Sequence, residues 1–362
     1  MSSNASRPRW RTIARWASLT ALAMGSAACG MILGDFPDGK LSTGGDGDVP
    51  VPAEAPEGAI CFVPNAEILG LAIDATSIFW LRATTSDEKP QFAVEVCPKG
   101  GGAPQRVAIV ARKPAAIALS ERHVFWSIDE PLESSGGVFR ASKADDAGAP
   151  AGDQGQPVFL KVNHPGPIHF ANGMLYTGTR VGIIHSTSPE TGNPTGEAIP
   201  NIGDPASIAV SETHLYWSDR DTGAISTAPR QGDVLNVDFV ARSPAQRSLL
   251  AYDRGALHWV TVGTTGATIE SKCPKGCEVK PIVMQPNGFA AFAVRNGIVY
   301  WTANENGTAV VWRCTDLAAC EAGKTAQWSS ANTMASHLAI DDGAVYFVAS
   351  RGKDSYIVKR AQ

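Results

Sequence analysis

The sequence predicts an all-β fold, a seven-bladed β-propeller, on three observations. One short unit recurs seven times, consecutive copies lie 40 to 51 residues apart, and the two chain ends carry complementary parts of one repeat. A period of this size, with four short strands in each copy, is the pattern of propeller blades.

The unit is an apolar strand with Ala at its second position, a polar turn, and a second strand ending aliphatic-aromatic-Trp. The copies end at Trp80, Trp126, Thr177, Trp217, Trp259, Trp301 and Phe347. The Ala column is Ala72, Ala118, Ala209, Ala251, Ala293 and Ala339, on the strand expected nearest the axis, where blades crowd. The Trp column supplies large apolar surface for blade-to-blade contact. A single twisted sheet cannot bury both its faces, whereas seven packed around an axis can. A third and a fourth strand follow each Trp, as in Val94–Val96 and Val107–Val110 of the first copy. The last copy stops after its third strand, at Tyr356–Arg360, while Ala59–Val63 precedes the first copy unpaired. The ring is therefore expected to close with the N-terminal strand completing the last blade.

The N-terminus reads as an export signal. Arg7, Arg9, Arg11 and Arg15 precede an apolar stretch from Trp16 to Ala28 that is too short to span a bilayer. Ser26-Ala27-Ala28-Cys29 resembles a bacterial lipobox, which makes Cys29 the lipidated residue and sets the boundaries at 1–28 (signal), 29–57 (lipidated Cys and disordered tether) and 58–362 (propeller). Plain cleavage, leaving a secreted soluble protein, is the alternative. The tether is rich in Gly, Asp and Pro and has little apolar surface to offset its ordering entropy. The expected location is the outer membrane or a periplasm-facing surface, reached through the lipid alone.

Six further cysteines, an even number in an exported chain, favour disulfides. Cys273 with Cys277 and Cys314 with Cys320 are expected as local pairs, leaving Cys61 and Cys97. Zinc is disfavoured because the spacings are not CxxC and no neighbouring His completes them.

Leu215-Tyr216-Trp217-Ser218-Asp219 and Val299-Tyr300-Trp301-Thr302 resemble YWTD-type propeller repeats. Residues 59–362 are also similar to the repetitive propeller lipoproteins of myxobacteria-like Gram-negative bacteria, whose repeats read like Cys97-Pro-Lys-Gly-Gly-Gly-Ala-Pro. The resemblance implies a propeller at the cell envelope and little about a ligand. Only the fourth repeat keeps the terminal Asp, and seven copies exceed the six blades usual for YWTD domains, so no receptor site carries over.

With 362 residues, 18% charged and a net charge of −4, the chain has no basic field to draw nucleic acid. No nucleophile elbow, phosphate loop, HExxH or EF-hand pattern occurs. The expected function is a monomeric, non-enzymatic binding or scaffold module for a protein or carbohydrate, without cofactor. The rival is a propeller-type lyase or lactonase with its active site at the channel mouth. Asp74, Asp253, Asp341, Ser120 and Ser211 follow the first strand and are expected to accept turn amides. His123 and His214 share one repeat position and read as scaffold, and His258 as a hydrogen-bonded core group. The third copy breaks the pattern twice, with His169 in the Ala column and Thr177 in the Trp column. Arg180 follows in the next loop, and Asp219 and Arg220 occupy the same loop of the fourth copy. These five residues are the expected ligand-binding set.

Overall fold

The computed structural model describes residues 51–362 apart from 53, 86–89, 132–135, 144–154, 160–161, 189–198, 231–235, 244–248, 264–265, 273–277 and 286–287. Cys29, the signal segment and the Cys273–Cys277 pair thus lie outside the described residues. No helix among those described is long and apolar enough to cross a membrane.

Strand β1 (Ala59–Val63) comes first. Blade 1 is β2 (Glu67–Ile73), β3 (Ser77–Thr85), β4 (Pro90–Pro98) and β5 (Gln105–Val110). Blade 2 is β6 (Ala116–Leu119), β7 (His123–Ile128), β8 (Gly137–Ser142) and β9 (Gln156–Phe159). Blade 3 is β10 (Pro165–Ala171), β11 (Met174–Thr179), β12 (Ile183–Thr187) and β13 (Ile199–Pro200). Blade 4 is β14 (Pro205–Val210), β15 (His214–Asp219), β16 (Ala224–Pro229) and β17 (Asp238–Arg242). Blade 5 is β18 (Leu250–Asp253), β19 (Ala256–Gly263), β20 (Gly266–Lys272) and β21 (Lys280–Gln285). Blade 6 is β22 (Phe289–Arg295), β23 (Ile298–Glu305), β24 (Thr308–Cys314), the short helix α1 (Cys320–Gly323) and β25 (Thr325–Ala331). Blade 7 holds β26 (Met334–Ile340), β27 (Ala344–Arg351) and β28 (Asp354–Ala361).

Each blade is a four-stranded antiparallel meander, and the seventh has the order β1-β28-β27-β26. The first strands meet in sequence around the ring, and β26 returns to β2. β1 lies on β28 with Ala59 opposite Val358 and Val63 opposite Ser355. The Cys61–Cys97 disulfide then joins β1 to β4, tying the last blade covalently to the first. Gly102 N–H donates to Ile60 O across the same seam at 3.2 Å.

The core is a series of layers between successive blades. Successive residues of a strand face opposite sides. Trp80 therefore faces blade 7 and Trp126 faces blade 1, each enclosed with residues of the preceding blade, while Ala72 and Ala118 face the blade that follows. Small Ala against large Trp lets neighbouring sheets approach closely near the axis. Buried indoles need a partner for Nε1. Trp80 donates to Glu95 at 3.1 Å, Trp259 to Glu270 at 2.6 Å and Trp301 to Gln285 at 3.1 Å. Glu95 is balanced by Arg82 at 2.7 Å.

Residues 54–57, placed by composition in the tether, are docked on blades 6 and 7. Ala55 and Val51 pack against that layer, Trp328 Nε1 donates to Glu57 O at 3.0 Å, and Arg351 Nη1 donates to Glu54 O at 2.8 Å. Two apolar side chains and two backbone acceptors outweigh the polar average of the segment.

Candidate functional site

Loops leaving the second strands and loops entering the first strands share one face of the ring. The residue three beyond the Trp position is Ala83, Asp129, Arg180, Arg220, Val262, Asn304 and Ser350; it is the first loop residue in blades 2, 3 and 4 and still lies within the second strand of blades 1, 5, 6 and 7. Only the consecutive blades 2, 3 and 4 place a charge there.

Backbone bonds hold these loops in place. His164 N–H donates to Glu130 O at 3.1 Å, Arg180 N–H to His164 O at 3.1 Å, and Arg220 N–H to Asp204 O at 2.7 Å. His164-Pro165 and Asp204-Pro205 are the same step of successive repeats, so the loop pattern itself is periodic. On this frame Arg180 Nη2 meets Asp129 Oδ2 at 2.6 Å, and His164 Nδ1 lies 3.2 Å from Asp129 Oδ1. In the next blade Arg220 Nε lies 3.1 Å from Asp204 Oδ2. Burial pushes the Asp204 carboxyl above the ordinary range, against the pull of Arg220 and Arg180, with Asp221 and Asp129 adding to the rise. Its Oδ1 is buried without a hydrogen-bond partner. Arg180 keeps half its side chain in solvent (52%), and Val181 beside it is 55% exposed. The result is an alternating acid–base file across three blades, with spare hydrogen-bonding capacity at Arg180 and Asp204.

The five expected site residues divide into three groups. Arg180 and Arg220 belong to this file. Asp219 is buried and serves the turn: its Oδ1 accepts the amides of Asp221 at 2.9 Å and Thr222 at 2.7 Å. Its carboxylate fills the space beside Gly203, where φ is +77° and a Cβ would collide with Oδ2. His169 and Thr177 do not converge. Cross-strand partners share a face, and His169 pairs with Tyr176 whereas Thr177 pairs with Ile168. Tyr176 packs toward blade 4 and Ile168 toward blade 2, so the two departures lie on opposite faces of blade 3. Thr177 is fully buried and its Oγ1 has no hydrogen-bond partner. His169 keeps some exposure, yet burial of its ring lowers its pKa to about 4 and leaves it neutral.

Asp129, His164 and Asp204 were not among the five residues expected at the site. The repeated X-Pro step before the first strand is the signal that marks His164 and Asp204. On the opposite face the turn residues act as expected, with one exception. Asp74 Oδ1 accepts Thr76 and Ser77 N–H, and Asp341 Oδ1 accepts Gly343 and Ala344 N–H. Asp253 instead accepts Asn296 and Gly297 N–H from the next blade. His258 is buried, but its Nδ1 has no partner, contrary to the expected hydrogen-bonded group; burial lowers its pKa to about 4 and keeps the ring neutral. No group of three His, Cys, Asp or Glu suited to a metal ion occurs among the described residues.

No family model and no curated protein matches the chain. Two solved structures share its fold. The WD40 domain of Toxoplasma gondii coronin is 11% identical with a TM-score of 0.57, covering 87% of this chain and 89% of its own. The computationally designed Ika8 protein is 14% identical with a TM-score of 0.50, covering 86% and 99%. At such identity the likeness establishes the propeller fold and nothing finer.

Proposed function

We propose that this protein is a non-enzymatic binding or scaffold module, exported and held at the cell envelope by lipid on Cys29. It engages a protein or carbohydrate ligand through the loop face of blades 2–4. The observation that carries this reading is the confinement of charge at one repeat position to three consecutive blades. Packing accounts for the Ala and Trp columns in the rest of the ring. In blades 2–4 the second strand ends one residue before this position, so Asp129, Arg180 and Arg220 stand in the loops and, with Asp204, form the charged file; Ala83, Val262, Asn304 and Ser350 of the other blades are strand residues.

Export is supported by the N-terminal signal pattern and by the Cys61–Cys97 and Cys314–Cys320 disulfides, which persist in oxidising compartments. The resemblance to propeller lipoproteins agrees with an anchored form. Loop residues on a rigid ring suit recognition, because their backbone is fixed before the partner arrives.

The test uses Arg180→Ala with Arg220→Ala in the full chain. Immobilised wild-type and variant proteins are compared on a glycan array and in envelope extracts. A ligand retained by wild type should be lost or weakened about tenfold or more in the variant, since truncating charged interface pairs typically costs a few kcal/mol. The melting temperature should change little. Equal retention by both proteins contradicts the reading.

A further inference from the structure

Asparagine followed by glycine is the step most open to spontaneous deamidation, because glycine puts no side chain in the way of its own backbone nitrogen. The chain has four such steps, at 172–173, 287–288, 296–297 and 306–307. Asn287 lies outside the described residues. The other three steps are two-residue hairpin turns with positive φ at both positions. The angles are 52° and 76° at Asn172-Gly173, 55° and 75° at Asn296-Gly297, and 50° and 77° at Asn306-Gly307. In sequence and backbone the three are equivalent; in surroundings they are not.

Asn296 is held from two blades. Its N–H and that of Gly297 donate to the two oxygens of Asp253 in the preceding blade, at 3.2 and 2.7 Å. Its Nδ2 donates to Asp342 Oδ1 in the following blade at 3.2 Å. A carboxylate bound to the Gly297 amide opposes loss of that proton, since it sets a negative charge beside the anion that would form. Asn172 has one longer contact, from Nδ2 to Ser211 O at 3.4 Å. Asn306 is exposed, and its side chain has no hydrogen-bond partner among the described residues. Nothing lies within 4 Å of the point where a Cβ on Gly307 would stand. The Gly307 carbonyl accepts Asn332 N–H at 2.8 Å, which steadies the turn and leaves the Gly307 nitrogen free.

We propose that Asn306 is a site of intramolecular deamidation in the folded protein, and that Asp253 and Asp342 shield Asn296 from the same reaction. The Gly307 nitrogen gives up its proton and bonds to Asn306 Cγ. The Cγ–Nδ2 bond breaks, and the amide nitrogen leaves as ammonia with that proton. Water then opens the cyclic imide at either carbonyl, giving Asp or isoaspartate. Either product sets a new negative charge on the loop face of blade 6, and isoaspartate also lengthens the backbone of the turn between β23 and β24.

The experiment ages the full-length protein at mildly alkaline pH and reads each Asn-Gly peptide by mass and by isoaspartyl methylation. The denatured chain, in which only the neighbouring glycine matters, is the reference and should convert 172, 296 and 306 at similar rates. In the folded protein 306 should convert first, 172 more slowly and 296 least. Asp253→Ala should speed conversion at 296 about tenfold, the worth of a hydrogen bond to a charged group, with 172 and 306 unchanged. Folded protein that leaves 306 intact, or converts 296 as fast as 306, overturns the proposal. An Asp253→Ala variant with no gain at 296 contradicts the shield. Should that variant convert all three sites faster, Asp342→Ala decides, because it leaves the turn amides bound to Asp253. A gain confined to 296 supports the shield, and no gain there contradicts it.

Discussion

His258 stands where the other blades carry Phe79, Phe125, Tyr176, Tyr216, Tyr300 and Tyr346. It and His337 are almost fully buried, and burial lowers the pKa of each from the ordinary 6.5 to about 4. For His337 a hydrogen bond to the Leu69 backbone opposes that shift. Between these two values the unfolded chain binds protons that the native state refuses, so stability rises with pH there. The histidine contribution should be level above pH 6.5, fall as the pH drops toward 4, and level again below. Replacing His258 with Tyr, the residue four blades use, should reduce the slope in that window and leave stability at pH 7.5 little changed. Denaturant melts at half-unit pH steps check this; an unaltered slope means that other groups govern the acid sensitivity. The same scale shows what the sequence made legible. The Ala and Trp columns stand out because six of the seven blades repeat the Ala and five the Trp. The meaning of His169 and Thr177 depended on hairpin register, which pairs the Ala position with the aromatic and not with the Trp. That register sends the two side chains to opposite neighbours.

Strand β1 is the element on which ring closure turns. It comes from the N-terminal side of the chain and completes the last blade, so without it β28 would present a bare edge. Its offset was visible in the repeats, because the last copy lacks a fourth strand and a spare strand precedes the first. Its covalent tie to β4 was not readable from cysteine spacing, since Cys61 and Cys97 were simply the two left after the local pairs. Their bond closes a separation of 36 residues across the blade 7–blade 1 seam. On the chain-entropy estimate such a loop contributes about 3–4 kcal/mol. Cys61→Ser with Cys97→Ser should therefore lower unfolding stability by about that amount, with earliest hydrogen exchange at 59–63 and 355–358. Loss spread evenly over all blades would show that the seam is not the weak point. The loop elements of blades 2–4 were only half legible. Arg180 and Arg220 were evident from their shared repeat position, but their acidic partners come from the preceding blade or the loop before the strand. Only spatial adjacency couples Asp129 to Arg180.

At the scale of the whole molecule, the docked segment 54–57 runs along blades 6 and 7, roughly across the ring from blade 3. A tether attached there leaves the charged file of blades 2–4 on the side away from its root. On the anchored reading, Cys29→Ala should move the protein from the membrane fraction to the soluble fraction. Wild-type protein that is already soluble and carries no lipid by mass spectrometry would contradict anchoring, and leave the binding face to be judged by itself. The central claim is that ligand contact occurs on one sector of one face, and photocrosslinking tests it most directly. A photoreactive residue is placed at Val181 in blade 3, at Asn306 in blade 6 and at Lys353 in blade 7, all in the loops that follow second strands. Illumination in intact cells should give a discrete adduct from position 181 and none from 306 or 353. Adducts of equal yield from all three positions, or from 306 and 353 alone, would contradict the assignment of binding to blades 2–4.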